Sequence, residues 1–464
     1  MLLAVLVIAC KEEKAAPVAV VMADAGVTKR VHLLVTGYET GELPIAGPRL
    51  LGKWTKDEKW PEALVLSTGD MFSGNAVSSV FFGESSAQFA KAMQYRAAAL
   101  GNHDLDLGLE TFGKFRKQSD VTFLAANLKD KAGAEHPLKL QPFMVFDRGG
   151  VKVAVVGLSS EKTIATTVSG RASGLEMMPL EPAMAGALTA AKAQGAQLNV
   201  VVIDDCFTVA KPVIDAHPEW KVDLVVGSHC DEAREAKSGS TLYFSAGAKL
   251  ADYISAEWTM PPAGPVTFNA SRKTVADDGS VDTDLQTIAD RWKKKLDDDL
   301  GQVIGYSKSG FKEDSKELRT WVATALRDQA KTDAGLINRR GLRAALPKGP
   351  ITKASVYSMM PFENAVLTLK VTGEQLNKLK ANPEAALVMP AKVDPAASYS
   401  LATTEYLYFG GDTLGLAEFD TDPQTTGQMW QTPVIEWTLS KKTERFSAVA
   451  MPRSSSRPVV IAAP

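Results

Sequence analysis

Short apolar runs, each closed by a polar cluster, punctuate the first half of the chain. Residues 32–35, 64–66, 122–126, 200–203 and 224–226 read as buried strands. Residues 143–146 and 151–156 read as a hairpin around Asp147-Arg148-Gly149-Gly150. Residues 85–92, 182–194 and 211–216 read as helices, with Pro182 tolerable in a first turn. Strands alternating with helices predict an α/β core, and further strands over 241–245 and 253–258 predict a second sheet or an edge extension. Leu285, Ile288, Trp292 and Leu296 recur at helical spacing, which predicts an amphipathic helix linking two domains. Beyond it, the pattern gives a helix from Lys316 to about Lys331, a strand with a Gly turn over 335–343 and a strand over 365–371. A helix then opens at Thr372, with Thr372 as N-cap and Gln375 at the capping-box position.

The 464 residues allow two or three domains of ordinary size, and 45% hydrophobic content supports sizeable cores. Net charge is −2, with Lys and Arg dispersed rather than striped, so no nucleic-acid partner is expected. Five His and three Cys exclude a disulfide-stapled fold and confine metal chemistry to few sites. Residues 1–9 are wholly apolar but too short to span a bilayer. Val7-Ile8-Ala9-Cys10 looks like a bacterial lipoprotein cleavage box, with Cys10 as the lipidated residue. The expectation is a periplasmic protein anchored to a membrane by lipid. Lys11 suits the outer membrane of a Gram-negative cell, and residues 11–29 form a tether.

Three polar clusters follow predicted strands. They are Ser67-Thr68-Gly69-Asp70, Gly101-Asn102-His103-Asp104-Leu105-Asp106 and Gly227-Ser228-His229-Cys230-Asp231. Amide, imidazole and carboxylate groups gathered at strand ends suit metal-assisted hydrolysis in an α/β crevice.

These motifs, with Met360-Pro361-Phe362-Glu363-Asn364, Val371-Thr372-Gly373-Glu374-Gln375-Leu376 and Gly410-Gly411-Asp412, resemble the bacterial periplasmic 5'-nucleotidase and UDP-sugar hydrolase family over roughly residues 31–440. The resemblance implies an α/β and α+β chain. A calcineurin-like metallophosphoesterase domain of four layers (αββα) would occupy 30–280, the linker helix 281–300, and a 5'-nucleotidase-type C-terminal domain 301–460. It places two metals bridged by Asp70, with Asn102 and His229 as ligands of the second. His103 and Asp106 would stabilise the reacting phosphate. Asn338, Arg340, Arg343 and Tyr406 would hold the substrate, Arg340 standing where the family has glycine. The second base-stacking position is Leu414, so one ring of the aromatic pair is missing.

Four ligand positions depart from the family pattern: Tyr38, Thr40, Cys206 and Asp231. A phenol and a hydroxyl are weak partners for a divalent ion, so the first metal is not expected. Asp70, Asn102, Cys206 and His229 could still hold one divalent ion, zinc or manganese. Alternatively Cys206 pairs with Cys230 as a disulfide, and Glu39 compensates for the lost carboxylate from one position away. The expectation is no metal or one. The leading reading is a degenerate 5'-nucleotidase-like lipoprotein, weakly active or inactive, that binds a nucleotide or other small phosphorylated ligand or an envelope protein partner. The second is an active phosphoesterase with a rearranged, mononuclear site. A third, a structural subunit of an envelope assembly, looks to Trp54, Trp60, Trp430 and Trp437 for contact surface.

Overall fold

The computed structural model describes residues 26–135, 137–168, 170–230 and 234–441, and the backbone of Val460–Ile461. Cys10, most of the tether and Asp231 lie outside the described residues.

The first domain holds two six-stranded sheets. One runs in the order Thr267–Thr274, Asp252–Met260, Lys29–Thr36, Leu64–Ser67, Tyr95–Ala99, Thr122–Leu124, its last four strands mutually parallel. The other runs Glu235–Ser238, Thr241–Ser245, Leu224–Gly227, Leu198–Asp204, Val151–Ser159, Phe143–Arg148. Strand alternation explains how they stack. Val31, Leu33 and Val35 meet Val153, Val155, Val200, Val202 and Val226 between the sheets. Leu34, of opposite parity, packs with Leu50, Trp54, Phe89 and Phe112 from the helices Leu43–Asp57, Glu84–Ala92 and Leu109–Ser119. On the far side, Val156, Val201, Ile203 and Val225 pack with Met184, Leu188, Phe207 and Ile214 from Leu180–Ala193 and Phe207–Ala216. The result is helix, sheet, sheet, helix.

Helix Thr283–Leu300 puts Leu285 and Ala289 into the first domain's core, while Leu296 packs with Ala76, Val77 and Ala354. The second domain's main sheet has the order Ala385–Val388, Ala334–Asn338, Ser398–Thr404, Ala365–Thr372, Gln424–Met429. Helices Lys316–Ala330 and Gln431–Ser440 cover one face, and Gly373–Ala381 and Glu405–Tyr408 the other. Thr372 and Gln375 form the reciprocal capping box, with Gln375 N donating to Thr372 Oγ1 (3.2 Å) and Thr372 N to Gln375 Oε1 (2.7 Å). Trp54 and Trp430 are core residues, which removes them as contact surface. Among the described residues no helix is long and apolar enough to cross a membrane.

Candidate functional site

The carboxyl ends of the central strands of both sheets open on one crevice, roofed by the second domain. Thr36, Ser67 and Ala99 end the strands that lead to Tyr38, to Asp70 and to Asn102-His103. Asp204 ends one strand of the second sheet, and Gly227 ends the strand before His229.

The turns are tight. Gly101 has no room for a side chain, since a Cβ there would fall 2.1 Å from Asp70 Oδ1. Buried Asp104 ties the two loops together by accepting hydrogen bonds from the N–H groups of Asp70 (3.0 Å), Gly101 (2.9 Å) and Phe72 (3.1 Å). Tyr38, Thr40, Asp70 and His229 all adopt left-handed backbone conformations, with φ of 50°, 47°, 61° and 55°. Such strain in non-glycine residues gathers where function demands a particular geometry.

His229 Nε2 lies 3.1 Å from Asp70 Oδ2 and 3.2 Å from Asp204 Oδ1. Burial opposes its charge, but Asp204 and Asp70 outweigh burial and raise its basicity well above the ordinary imidazole value. Burial also works against the Asp70 carboxylate, yet His103 and His229 hold it below the usual range. Asp204 is pushed up to about 6, by burial first and then by the Asp70 charge. His103 Nδ1 is 2.8 Å from Asp106 Oδ2, which also accepts from Ser73 Oγ (2.7 Å). Asp106 thus orients the imidazole.

The predicted substrate residues converge on the same space. Asn338, Arg340, Arg343 and Tyr406 line a cavity of about 630 Å³ together with Asn102, His103, Asp106, Asp204 and His229. Arg340 has φ 63°, a conformation that favours the glycine it replaces. The Tyr406 hydroxyl is 3.2 Å from Asp412 Oδ1, and its ring is backed by Gly411. Leu414 is buried in the core, so no second ring faces Tyr406 from that position. Phe362 belongs to the second domain's core, but its ring also stacks on His103 at 4.9 Å. Arg343 crosses the domain boundary, its guanidinium donating to the Tyr38 hydroxyl at 2.7 Å.

Among the described residues the donor set does not fit a pair of metals. Cys206 is joined to Cys230 in a disulfide, so its assignment as a metal ligand is corrected: its sulfur is not available as a thiolate. Glu39 does not compensate either. Its buried carboxyl accepts from Thr36 Oγ1 (2.5 Å) and Ser67 Oγ (2.9 Å), and burial pushes it up to about 7. The Tyr38 hydroxyl is engaged by Arg343, and Thr40 offers only a buried hydroxyl. One ion could still be held. Ligand atoms of Asp70, Asp204 and His229 lie within 4.8 Å of one another, and Asp204 Oδ2 has no hydrogen-bond partner. Asn102 lines the cavity beside them, its Nδ2 donating to Thr166 O at 3.3 Å. Asp204 was not among the predicted residues, although parity marks it. Leu198, Val200 and Val202 face the first sheet, and Asp204 continues that row toward Asp70.

Residues 302–386 match the family model described as 5'-nucleotidase, C-terminal domain. The chain is 23% identical over 367 residues to a 5'-nucleotidase of Vibrio cholerae, covering 68% of this chain and 66% of that one. It is 22% identical over 367 residues to the trifunctional nucleotide phosphoesterase protein YfkN of Bacillus subtilis, covering 68% of this chain and 25% of that one. The matched stretch therefore spans less than two thirds of these relatives' own length. The 5'-nucleotidase precursor of Thermus thermophilus superposes with a TM-score of 0.73 at 18% identity, covering 93% of this chain and 99% of that chain. The fold expected from the motifs is thereby borne out, and within it residues 302–386 match the 5'-nucleotidase C-terminal domain.

Proposed function

We propose that this 5'-nucleotidase-like chain binds a small phosphorylated molecule, of which a nucleotide is the leading candidate, in the cavity between its domains and hydrolyses it weakly or not at all. The observation that carries this reading is the donor set around Asp70. Tyr38, Thr40 and the disulfide-bonded Cys206 stand where ligands for two metals are needed, while Arg340, Arg343 and His103 still line the cavity. A two-metal clamp on attacking and leaving oxygens requires both ions. Without it the pocket retains recognition and loses the source of hydroxide. Lipid attachment at Cys10 would place this binding or scaffold protein on the periplasmic side of the outer membrane, within reach of an envelope partner.

A second reading rests on the Asp70, Asp204 and His229 trio. A single divalent ion held there would supply a Lewis acid and an activated water. His103, oriented by Asp106, would then place a proton near the leaving oxygen.

Hydrolysis of adenosine monophosphate and bis(p-nitrophenyl) phosphate with manganese, zinc or cobalt supplied separates the two. The first reading expects turnover at or near background, with adenosine monophosphate still bound. Robust turnover abolished by Asp70→Ala would replace it with the second.

A further inference from the structure

Backbone contacts pin the chain just before His229 and then stop. Gly227 O accepts from Ala246 N (2.9 Å), and Ser228 N donates to Asp205 O (2.9 Å). Among the described residues His229 and Cys230 make no backbone hydrogen bond. His229 nevertheless holds a left-handed conformation, φ 55°, which is costly for a residue with a Cβ and persists only where its surroundings enforce it. Its imidazole meets Asp70 and Asp204, and its ring lies 4.0 Å from that of Tyr38. The remaining anchor is covalent. Cys230, the next residue, is bonded to Cys206, which stands two residues past Asp204.

That bond is also placed for thiol exchange. Both cysteines are half-buried, packed at the margin of the core that contains Phe207 and Tyr243. Cys206 is the first residue of the turn that opens helix Phe207–Ala216, and no side chain caps that helix. A thiolate is stabilised at a helix start and is there a good leaving group. The neighbouring Asp205 carboxylate is already engaged, accepting from Cys206 N (2.7 Å) and Ser160 Oγ (2.7 Å).

We propose that the Cys206–Cys230 bond is a redox clasp on the cavity: a dithiol reduces it in the folded protein, and His229 then moves away from Asp70 and Asp204. One dithiol sulfur, as thiolate, attacks Cys230 Sγ. A mixed disulfide forms, the Cys206–Cys230 bond breaks, and Cys206 leaves as a thiolate. The second dithiol sulfur attacks the first and releases Cys230. The dithiol gives up two electrons and becomes a disulfide, and its two protons end on Cys206 and Cys230. Freed of the cross-link, the chain at His229 relaxes out of its left-handed conformation. The consequence for a ligand rests on the reading that the cavity takes a phosphorylated molecule: His229 lines that cavity, and its departure weakens the hold.

The test compares the full chain untreated, reduced with dithiothreitol, and carrying Cys206→Ser with Cys230→Ser, all in EDTA so that freed thiols hold no metal. Alkylation followed by mass measurement should find two more modified cysteines after dithiothreitol without denaturant. The chain has five histidines, so their imidazole resonances are few, and His229→Gln assigns the one that matters. That resonance should shift on reduction and lie at the same place in the double serine variant. Calorimetry should find adenosine monophosphate bound about threefold to tenfold more weakly in both, the loss of one hydrogen-bonding group. A His229 resonance that stays in place in the reduced protein and in the variant overturns the inference. Alkylation only after denaturation, or loss of cooperative melting on reduction, makes the bond a structural staple and overturns it too. So does equal affinity for adenosine monophosphate in the two redox states. If His229 moves and adenosine monophosphate binds in neither state, the clasp stands and the ligand-binding reading fails.

Discussion

Charged residues that sequence reading would send to the surface are buried here, each for a different reason. Glu58 is 4% exposed, and its carboxylate accepts from Tyr253 (2.8 Å), Ser255 (2.7 Å) and Lys273 (2.6 Å), with His32 at 3.3 Å. Burial opposes the charge, but His32 and the other partners outweigh it and hold the carboxyl at about 2. Its folded value is depressed, so its stabilisation is complete above the unfolded value of 4.5 and is lost as pH falls toward about 2. A carboxyl held at about 2 rather than 4.5 corresponds to roughly 3 kcal/mol. Glu58→Gln should lower the melting temperature at pH 7 and flatten its dependence on pH between about 5 and 2, measured by calorimetry across that range. An unchanged acid limb would contradict this. The candidate site was legible in part at this scale. Asp70, Asn102, His103, Asp106 and His229 announce themselves as polar clusters after apolar runs, and Asp204 could have been found from strand parity. The Arg343–Tyr38 contact was not legible, because the two residues lie 305 positions apart and meet only through domain packing.

Elements with clean periodicity were readable, and those held by tertiary contacts were not. The box at Thr372 and most strands of the two sheets follow from local pattern, whereas the strands Glu235–Ser238 and Thr267–Thr274, largely polar and at sheet edges, were not read from the sequence. Helix Leu43–Asp57 contains Pro44, Gly47, Pro48 and Gly52, a composition that argues against a helix. It forms because Leu43, Leu50, Leu51 and Trp54 are buried on one face, and packing overrides propensity. The strand end at Asp204 and the loop that carries His229 depend on another long-range device. Cys206 starts the helix Phe207–Ala216, Cys230 directly follows His229, and their disulfide closes a loop across 24 positions. A cross-link of that span is worth roughly 3 kcal/mol through the unfolded chain. The double substitution Cys206→Ser, Cys230→Ser should therefore lower the melting temperature by about 5–10 °C. Equal melting of the two proteins would show that the cross-link contributes nothing.

Across the whole molecule, the two domains and the helix between them were expected, but the way they close on the site came only from their packing. Arg171 pairs with Glu363 at 3.0 Å, Lys249 with Glu313, and Phe362 with His103, so one edge of the phosphoesterase-like domain is shut against the second domain. That closure directs Arg343 at Tyr38 and leaves the cavity lined by both domains. The chain thus has the fold of the 5'-nucleotidase it superposes on, and among the described residues the donors gathered beside Asp70 are those of Asp204 and His229. Metal content decides between these two facts most directly. Protein saturated with zinc or manganese, dialysed, and measured by elemental analysis and anomalous diffraction should carry at most one ion per chain, at Asp70, Asp204 and His229. Two fully occupied ions about 3.5–4 Å apart beside Asp70 would contradict the account.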